Sequence, residues 1–284
     1  MTRLATALLG LALLASPLAT ALADDTPPPV QAVAIDDNTT VAIATVAETH
    51  TDILAVIVNN ELVWTQGGYI LEFGAPPGSD IAPGTDITGS GIKELLVTEY
   101  SGGAHCCTTY YVYAFEPFFR RLAVIDTQSS GARFEDLDGK PGLEVITADN
   151  TFAYWKTYYA ASPKPQVILA WDGTAFVPSA ALMAAPAPSA ADLKAQAARV
   201  AASDQWTADD LDPDLWRRML DLLYSGHADL AWSFLDDGWP AARDGKDAFA
   251  RAFKCELAAS PFWDAVAAMN KLDTNPPADC PSDS

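Results

Sequence analysis

Basic residues are scarce in this chain. Only 17 of its 284 residues are Lys or Arg, whereas 37 are Asp or Glu, and the formal net charge is −20. A surface of this sign repels phosphate backbones and anionic lipid headgroups. The composition therefore argues against nucleic acid as a partner, and it favours cations such as Ca²⁺.

Recognisable catalytic motifs are missing as well. The sequence contains no Gly-x-Ser-x-Gly nucleophile elbow, no Gly-rich phosphate loop and no Cys-x-x-Cys pair. Their absence favours a non-catalytic protein. The alternative is a secreted hydrolase, because carboxylate pairs that act in hydrolysis can come together from distant positions on a loop face.

Apolar runs long enough to cross a membrane are also missing. Residues 4–14 form an apolar run that follows a positive charge at Arg3 and leads to small residues at 21–23. The run is shorter than the ~20 residues of a spanning helix, and it is typical of a cleavable signal peptide. We predict a signal peptide over residues 1–23, cleavage after Ala23, and a periplasmic or secreted protein with no membrane span.

The rest of the chain divides by composition. Residues 24–32 are Pro-rich and predict a linker, residues 33–180 favour strands, residues 181–190 form an Ala/Pro linker, and residues 191–284 favour helices. Within residues 108–115, Tyr111, Tyr113 and Phe115 lie on one face of the predicted strand and Tyr110, Val112 and Ala114 on the other. Both faces are apolar, which indicates a strand buried on both sides. Ser189 and Thr207 each precede an acidic residue by three positions, a pattern typical of helix starts.

Two segments of the strand region resemble each other. DITGSGIKELLV begins at Asp86 and DLDGKPGLEVIT begins at Asp136, an offset of 50 residues. Further along, residues 111–117 align with residues 167–173. The pattern predicts repeat units near residues 86–135 and 136–180, and a period of this length is the size of a propeller blade.

An acidic turn followed by an apolar strand resembles the FG-GAP/VCBS repeats of integrin-type β-propellers. The continuation YSGGAHCC, residues 100–107, is similar to a group of exported bacterial proteins with such repeats, whose function is generally unknown. The strand region holds about three such units, whereas propellers close with four to eight blades. We therefore predict an α+β multi-domain protein. Its N-terminal all-β domain consists of blade-like antiparallel repeats, as a partial propeller or stacked sheets, and a small all-α domain follows.

The acidic turns are the first candidate site. Repeats of this family often bind Ca²⁺ there, so the resemblance implies a structural Ca²⁺ and no other cofactor. The first loop offers oxygen ligands at the spacing of a Ca²⁺ loop: Asp86, Thr88, Ser90, Ile92 and Glu94. The second loop offers Asp136, Asp138 and Glu144, with Lys140 between them as a competing cation. The alternative is that both are Asp/Gly turns whose side chains accept hydrogen bonds from backbone N–H groups.

The four cysteines are the second candidate feature, and in an exported protein they are expected to be oxidised. Adjacent residues on a strand point to opposite faces, so Cys106 and Cys107 are poorly placed to reach both of the distant cysteines. We predict a vicinal Cys106–Cys107 disulfide and a Cys255–Cys280 disulfide that ties the C-terminal tail to the helical region. The alternative is a soft-metal site at His105, Cys106 and Cys107, as in periplasmic metal handling.

Aromatic residues in the insertion of the second unit are the third candidate feature. They are Phe152, Tyr154, Trp155 and Tyr158. They form either a strand core with a capping loop or an exposed rim that stacks a ligand, because loops on a rigid scaffold often carry recognition. The predicted function is an exported binding or structural protein whose β-repeat loops hold a protein or glycan partner.

Overall fold

The computed structural model describes residues 30–75, 81–103, 106–207 and 210–280. The predicted signal peptide, the linker up to residue 29, His105 and the side chain of Cys106 lie outside this description. Among the described residues, no helix has both the length and the apolar character that a membrane crossing requires.

The strand region forms three four-stranded antiparallel sheets, in each of which consecutive strands are hydrogen-bonded neighbours. The first sheet contains β1 (Val30–Ala34), β2 (Thr39–Val46), β3 (Thr51–Val58) and β4 (Glu61–Gly68). The second contains β5 (Ile70–Phe73), β6 (Glu94–Gly103), β7 (Cys106–Ala114) and β8 (Arg120–Asp126). The third contains β9 (Arg133–Glu135), β10 (Glu144–Ala148), β11 (Gln166–Trp171) and β12 (Phe176–Pro178).

The second and third sheets have the same plan. In each, one strand precedes the acidic loop and three strands follow it, so Glu94 and Glu144 both stand at the start of the strand after the loop. The two sheets therefore span residues 70–126 and 133–178. Each sheet begins with the strand before its acidic loop, whereas the predicted repeat units, 86–135 and 136–180, begin at the loop itself. Within the described ranges, the three sheets form no closed barrel or propeller.

Six α-helices follow the sheets. They are α1 (Ala180–Met183), α2 (Ala190–Ala201), α3 (Pro213–Tyr224), α4 (Ala228–Gly238), α5 (Lys246–Ala258) and α6 (Trp263–Asn270). Ser189 is the N-cap of α2, as expected, because its hydroxyl accepts a hydrogen bond from the backbone N–H of Asp192 at 3.1 Å. The helix start predicted at Thr207 is wrong, since α3 begins at Pro213 with Asp212 as its cap. Proline at the first helical position and an aspartate before it are the stronger start signal.

Two hydrophobic clusters hold these elements together. One lies between the first and second sheets and contains Leu54, Leu95 and Tyr113. The other joins the second and third sheets to the helices, and Tyr110 and Val112 belong to it. Strand β7 thus contributes its two faces to different cores, which confirms the prediction of a strand buried on both sides. The fold is of the α+β class, and the helices share their core with the sheets.

Candidate functional site

The two acidic loops, residues 86–93 and 136–143, contact each other. The backbone N–H of Leu143 donates a hydrogen bond to the carbonyl of Ile87 at 2.8 Å. Gly89 has a φ of +73°, and a Cβ atom placed there would lie 2.2 Å from the carbonyl oxygen of Pro141. Gly142 is equally restricted, because a Cβ atom there would lie 3.0 Å from the backbone nitrogen of Gly89. The loops therefore pack backbone against backbone, an approach that only glycine permits.

Glu94 organises the first acidic loop from inside the protein. Its side chain is fully buried, and one carboxylate oxygen accepts hydrogen bonds from the backbone N–H groups of Ile87 and Thr88 at 2.8 and 2.9 Å. The other oxygen accepts from the hydroxyls of Thr88 at 2.5 Å and Ser90 at 3.2 Å. A buried carboxylate needs such donors, because they replace the water it has lost. Glu94 thus fixes the conformation of the first acidic loop by accepting hydrogen bonds from the loop's N–H and hydroxyl groups.

Asp86 has one carboxylate oxygen available for a ligand. Its Oδ2 accepts a hydrogen bond from the backbone N–H of Gly91 at 2.9 Å. Its Oδ1 is buried and has no hydrogen-bond partner in the described part of the chain. Of the five predicted ligands of the first loop, Asp86, Thr88, Ser90 and Glu94 therefore all take part in hydrogen bonds within the loop, as the turn alternative expects. Ile92 is included for its backbone carbonyl, which is the predicted Ca²⁺ ligand at that position, and its side chain plays no part in the prediction.

The second acidic loop gathers more carboxylates. Asp136, Asp138 and Glu144 each bring an oxygen within 4.8 Å of the others, a spacing at which a metal ion could be held. Lys140 competes for them, since its ammonium group lies 2.6 Å from Asp138, and this contact lowers the pKa of the Asp138 carboxyl. Glu144 also accepts a hydrogen bond from the backbone N–H of Leu137 at 2.8 Å, the counterpart of the Glu94 interaction.

The four aromatic residues of the β10–β11 loop, residues 149–165, fall into two groups. Phe152 is fully buried and Trp155 packs against the same core, with ring centroids 5.2 Å apart. The prediction that these two residues form an exposed rim is therefore wrong, because the helices cover them. Tyr154 and Tyr158 are exposed, at 58% and 71%. The sequence spacing could not separate the groups, since both core and rim favour aromatic residues.

The β10–β11 loop has a constrained backbone. Tyr154 and Lys156 adopt φ values of 61° and 51°, in the left-handed region that side chains other than glycine disfavour. The hydroxyl of Ser162 accepts a hydrogen bond from the N–H of Tyr154 at 2.9 Å and donates to the carbonyl of Tyr158 at 3.1 Å. Arg217 of α3 donates to the carbonyl of Ala161 at 2.9 Å. These bonds fix the loop on the helices, and such strain is often found at functional sites.

A cleft of ≈ 710 Å³ lies beside this loop. The loop contributes Lys156, Thr157 and Tyr158 to its wall, and the segment before α3 contributes Gln205, Thr207, Asp210, Leu211 and Pro213. Half of these eight side chains are polar and uncharged, tyrosine included, so the cleft offers hydrogen-bond donors and acceptors next to one exposed aromatic ring.

A buried polar trio lies under the loop and has no signature in the sequence. The carboxylate of Asp149 accepts a hydrogen bond from the hydroxyl of Tyr224, and another from the hydroxyl of Ser260 at 2.5 Å. Burial, and then the neighbouring Asp149 charge, raise the pKa of Tyr224 well above its ordinary value. All three side chains are buried. They therefore join the loop to α3 and to the turn between α5 and α6, and they are out of reach of a substrate.

The described residues of the YSGGAHCC segment form the end of β6 and the start of β7. Gly103 pairs with Cys106 in the strand register, and the N–H of Cys107 donates to the hydroxyl of Ser101 at 2.5 Å. The predicted Cys106–Cys107 bond and the His105 metal alternative depend on groups outside the described residues. Cys255 and Cys280 form a disulfide with Cα atoms 5.4 Å apart, the pairing expected from the sequence.

Comparisons with known proteins leave the family open. No protein-family model matches this chain, and no solved structure matches it. A curated protein named "Uncharacterized protein y4bJ", from Sinorhizobium fredii (strain NBRC 101917 / NGR234), is 28% identical over 81 residues. The aligned part is 28% of this chain and 13% of that protein. The similarity therefore carries no information on function.

Proposed function

We propose that this chain is an exported, non-catalytic binding protein that holds its partner on the β10–β11 loop. The observation that carries the proposal is the pair Tyr154 and Tyr158, both more than half exposed on a loop whose backbone is fixed. Exposed aromatic rings cost free energy in water and are favourable at binding surfaces. A fixed loop also loses little conformational entropy on binding.

Of the two partner classes, protein and glycan, the cleft beside Tyr158 favours a glycan. Its volume of ≈ 710 Å³ is within the range of small-ligand sites. Sugar hydroxyls are suited to the amide of Gln205 and the hydroxyl of Thr157, while the apolar face of a sugar ring can stack on Tyr158. A peptide that binds by strand addition would instead need an exposed sheet edge, and this loop is not a strand.

The proposal is tested with a glycan array followed by calorimetric titration of the best ligand. We expect Tyr158→Ala to weaken binding about tenfold through loss of the stacking contact. Phe118→Ala is the matched control, because Phe118 is also exposed, at 65%, but lies in the β7–β8 turn. Equal binding by all three proteins would refute the glycan site. Turnover of the glycan would favour the hydrolase alternative, and cross-linking to a protein in the same compartment would favour the protein class.

We further propose that the second acidic loop holds a structural Ca²⁺. The supporting observation is the approach of Asp136, Asp138 and Glu144 to within 4.8 Å. The Lys140 side chain is 77% exposed, and an exposed ion pair contributes little to stability, so Ca²⁺ can displace the ammonium group at low cost. Oxygen ligands and a flexible coordination number suit Ca²⁺ better than Mg²⁺ at such a turn.

Calorimetric titration with Ca²⁺ and with Mg²⁺ tests this second proposal. We expect Lys140→Gln to raise the Ca²⁺ affinity and Asp138→Asn to lower it, because the first removes a competing cation and the second removes a ligand charge. Asp172→Asn is the control, since Asp172 caps the turn after β11. No heat with Ca²⁺ in either the wild-type protein or the Lys140→Gln variant would reject a Ca²⁺ site here.

Export, and the FG-GAP/VCBS resemblance, complete the proposal. The three four-stranded meanders are the expected form of consecutive blades in a partial propeller. Mass spectrometry of the protein from its native compartment tests export, and a mature chain that begins at Asp24 is the expected result. The same sample tests the alternative at His105, Cys106 and Cys107, because bound copper or zinc would indicate metal handling.

A further inference from the structure

A second cleft, of ≈ 480 Å³, lies between α2, α3 and α4. Its size is within the range of small-ligand sites. Val200 and Phe234 are buried residues that contribute apolar surface to it. Arg199, Arg217 and Arg218 also line it. The whole chain has only 17 basic residues, and three of them line this cleft together with three aspartates, Asp212, Asp214 and Asp221.

The three arginines differ in their interactions. Arg217 is engaged, because it pairs with Asp214 and donates to the carbonyl of Ala161. Arg199 is exposed and forms no ion pair or hydrogen bond with the described side chains. The Nε–H group of Arg218 is buried and has no hydrogen-bond partner in the described part of the chain. A buried donor of a charged group is destabilising unless a ligand or water satisfies it.

Asp221 only partly neutralises Arg218. The two groups are 3.9 Å apart, at the limit of an ion pair, and the Asp221 side chain is 50% exposed. That contact uses the Nη1 atom of Arg218, and the buried Nε atom on another edge has no partner in the described part of the chain. This edge of a guanidinium group presents two parallel N–H donors at the spacing of a carboxylate or phosphate.

The remaining acidic groups of the cleft have their own partners. Asp214 pairs with Arg217, and Asp212 accepts a hydrogen bond from the N–H of Asp214 at 2.9 Å as the cap of α3. The Arg217–Asp214 pair is closed on itself, and Arg199 and Arg218 have no close ion pair among the described residues. An anionic group that enters the cleft meets these two side chains beside the apolar surface of Val200 and Phe234.

We propose that this cleft binds the oxyanion of a small organic acid, a carboxylate or a phosphate, with Arg218 as the principal donor. Arg199 contributes charge at the rim, and a short apolar body of the ligand packs on Val200 and Phe234. The site differs from the proposed glycan site in its principal residues, since it involves neither Tyr154 nor Tyr158, and Gln205 lines both clefts.

The test is calorimetric titration of the full chain at constant ionic strength with three probes. Benzoate carries a carboxylate and a short apolar body, benzamide has the same shape without charge, and inorganic phosphate is a tetrahedral oxyanion. We expect benzoate or phosphate to bind and benzamide not to bind. We expect Arg218→Gln to weaken binding about tenfold, because a charge-assisted pair is lost. Binding of benzoate identifies a carboxylate ligand, and binding of phosphate alone identifies a phosphate ligand.

Two further variants keep the test decisive. Arg199→Gln changes an exposed side chain, so it is expected to fold even if Arg218→Gln does not, and to weaken binding about threefold. Lys194→Gln on the exposed surface of α2 removes the same charge outside the cleft lining, and binding should stay at the wild-type level. Equal binding of benzoate and benzamide, no binding of either anion, or equal weakening by Lys194→Gln and Arg199→Gln would overturn the proposal.

Discussion

Gly89→Ala tests how the two acidic loops hold the second and third sheets together. A methyl group at residue 89 would lie 2.2 Å from the carbonyl oxygen of Pro141, whereas ordinary van der Waals contact begins at 3.4 Å. The obstacle is backbone and not the end of a flexible side chain, so the loops must separate. Separation breaks the hydrogen bond from Leu143 to Ile87 and loosens the packing of Ile87, which is fully buried.

The magnitude follows from three contributions. An alanine in the left-handed region costs about 1 kcal/mol relative to glycine. Loss of the loop–loop hydrogen bond costs about 1 kcal/mol. Partial exposure of Ile87 costs about 1 kcal/mol, a fraction of the free energy of burying such a side chain. The expected loss in the free energy of unfolding is therefore about 3 kcal/mol.

Gly139→Ala is the matched control, because Gly139 occupies the equivalent position in the second acidic loop. It has the same φ of +73°, but no atom lies within 4 Å of an added Cβ. Only the conformational cost of about 1 kcal/mol applies there. Urea unfolding, followed by tryptophan fluorescence, measures both variants. Equal destabilisation by the two substitutions would refute the reasoning, because it would show that the contact between the loops contributes nothing.

Three further predictions concern other parts of the fold. Glu94→Gln should destabilise the protein by about 3 kcal/mol in urea unfolding, because buried donors lose a charged acceptor; Glu72→Gln on the exposed side of β5 should have no effect. Replacing Cys255 and Cys280 by alanine should lower the free energy of unfolding by about 3 kcal/mol, as expected for the loop that this disulfide closes. A loss of less than about 1 kcal/mol in urea unfolding would contradict the argument from loop entropy. Burial, and then the hydrogen bond to a carboxylate, raise the pKa of Tyr111 from 10.0 to about 12. The stabilisation that Tyr111 contributes is therefore complete below pH 10 and is lost as the pH rises towards about 12. Tyrosine absorbance measures the ionisation, and loss of stability should accompany it. Ionisation of Tyr111 without destabilisation would contradict this prediction.

Local patterns were sufficient to predict several elements. The alternation around Tyr110 and Tyr113 predicts a strand buried on both faces, and each face indeed enters a different core. Ser189 is a correct helix cap because a hydroxyl followed by an acid acts within one turn. Thr207 shows the same pattern without a helix, because Pro213 and Asp212 form the stronger start a few residues later. Such signals compete over short distances, and their relative strength decides the helix start.

Long-range contacts decide what the sequence could not indicate. Phe152 and Tyr154 are two residues apart and of similar hydrophobicity, yet one is fully buried and the other is 58% exposed. The difference arises because α3 and α5 cover one side of the loop, and only the packing of distant helices determines which ring they cover. The acidic loops show the same effect. Glu94 and Asp86 have the spacing of Ca²⁺ ligands, but the buried position of Glu94 commits its carboxylate to donors of the loop, whereas Asp136 and Asp138 of the second loop are exposed. Burial therefore distinguishes the two loops, and the spacing of their acidic residues does not.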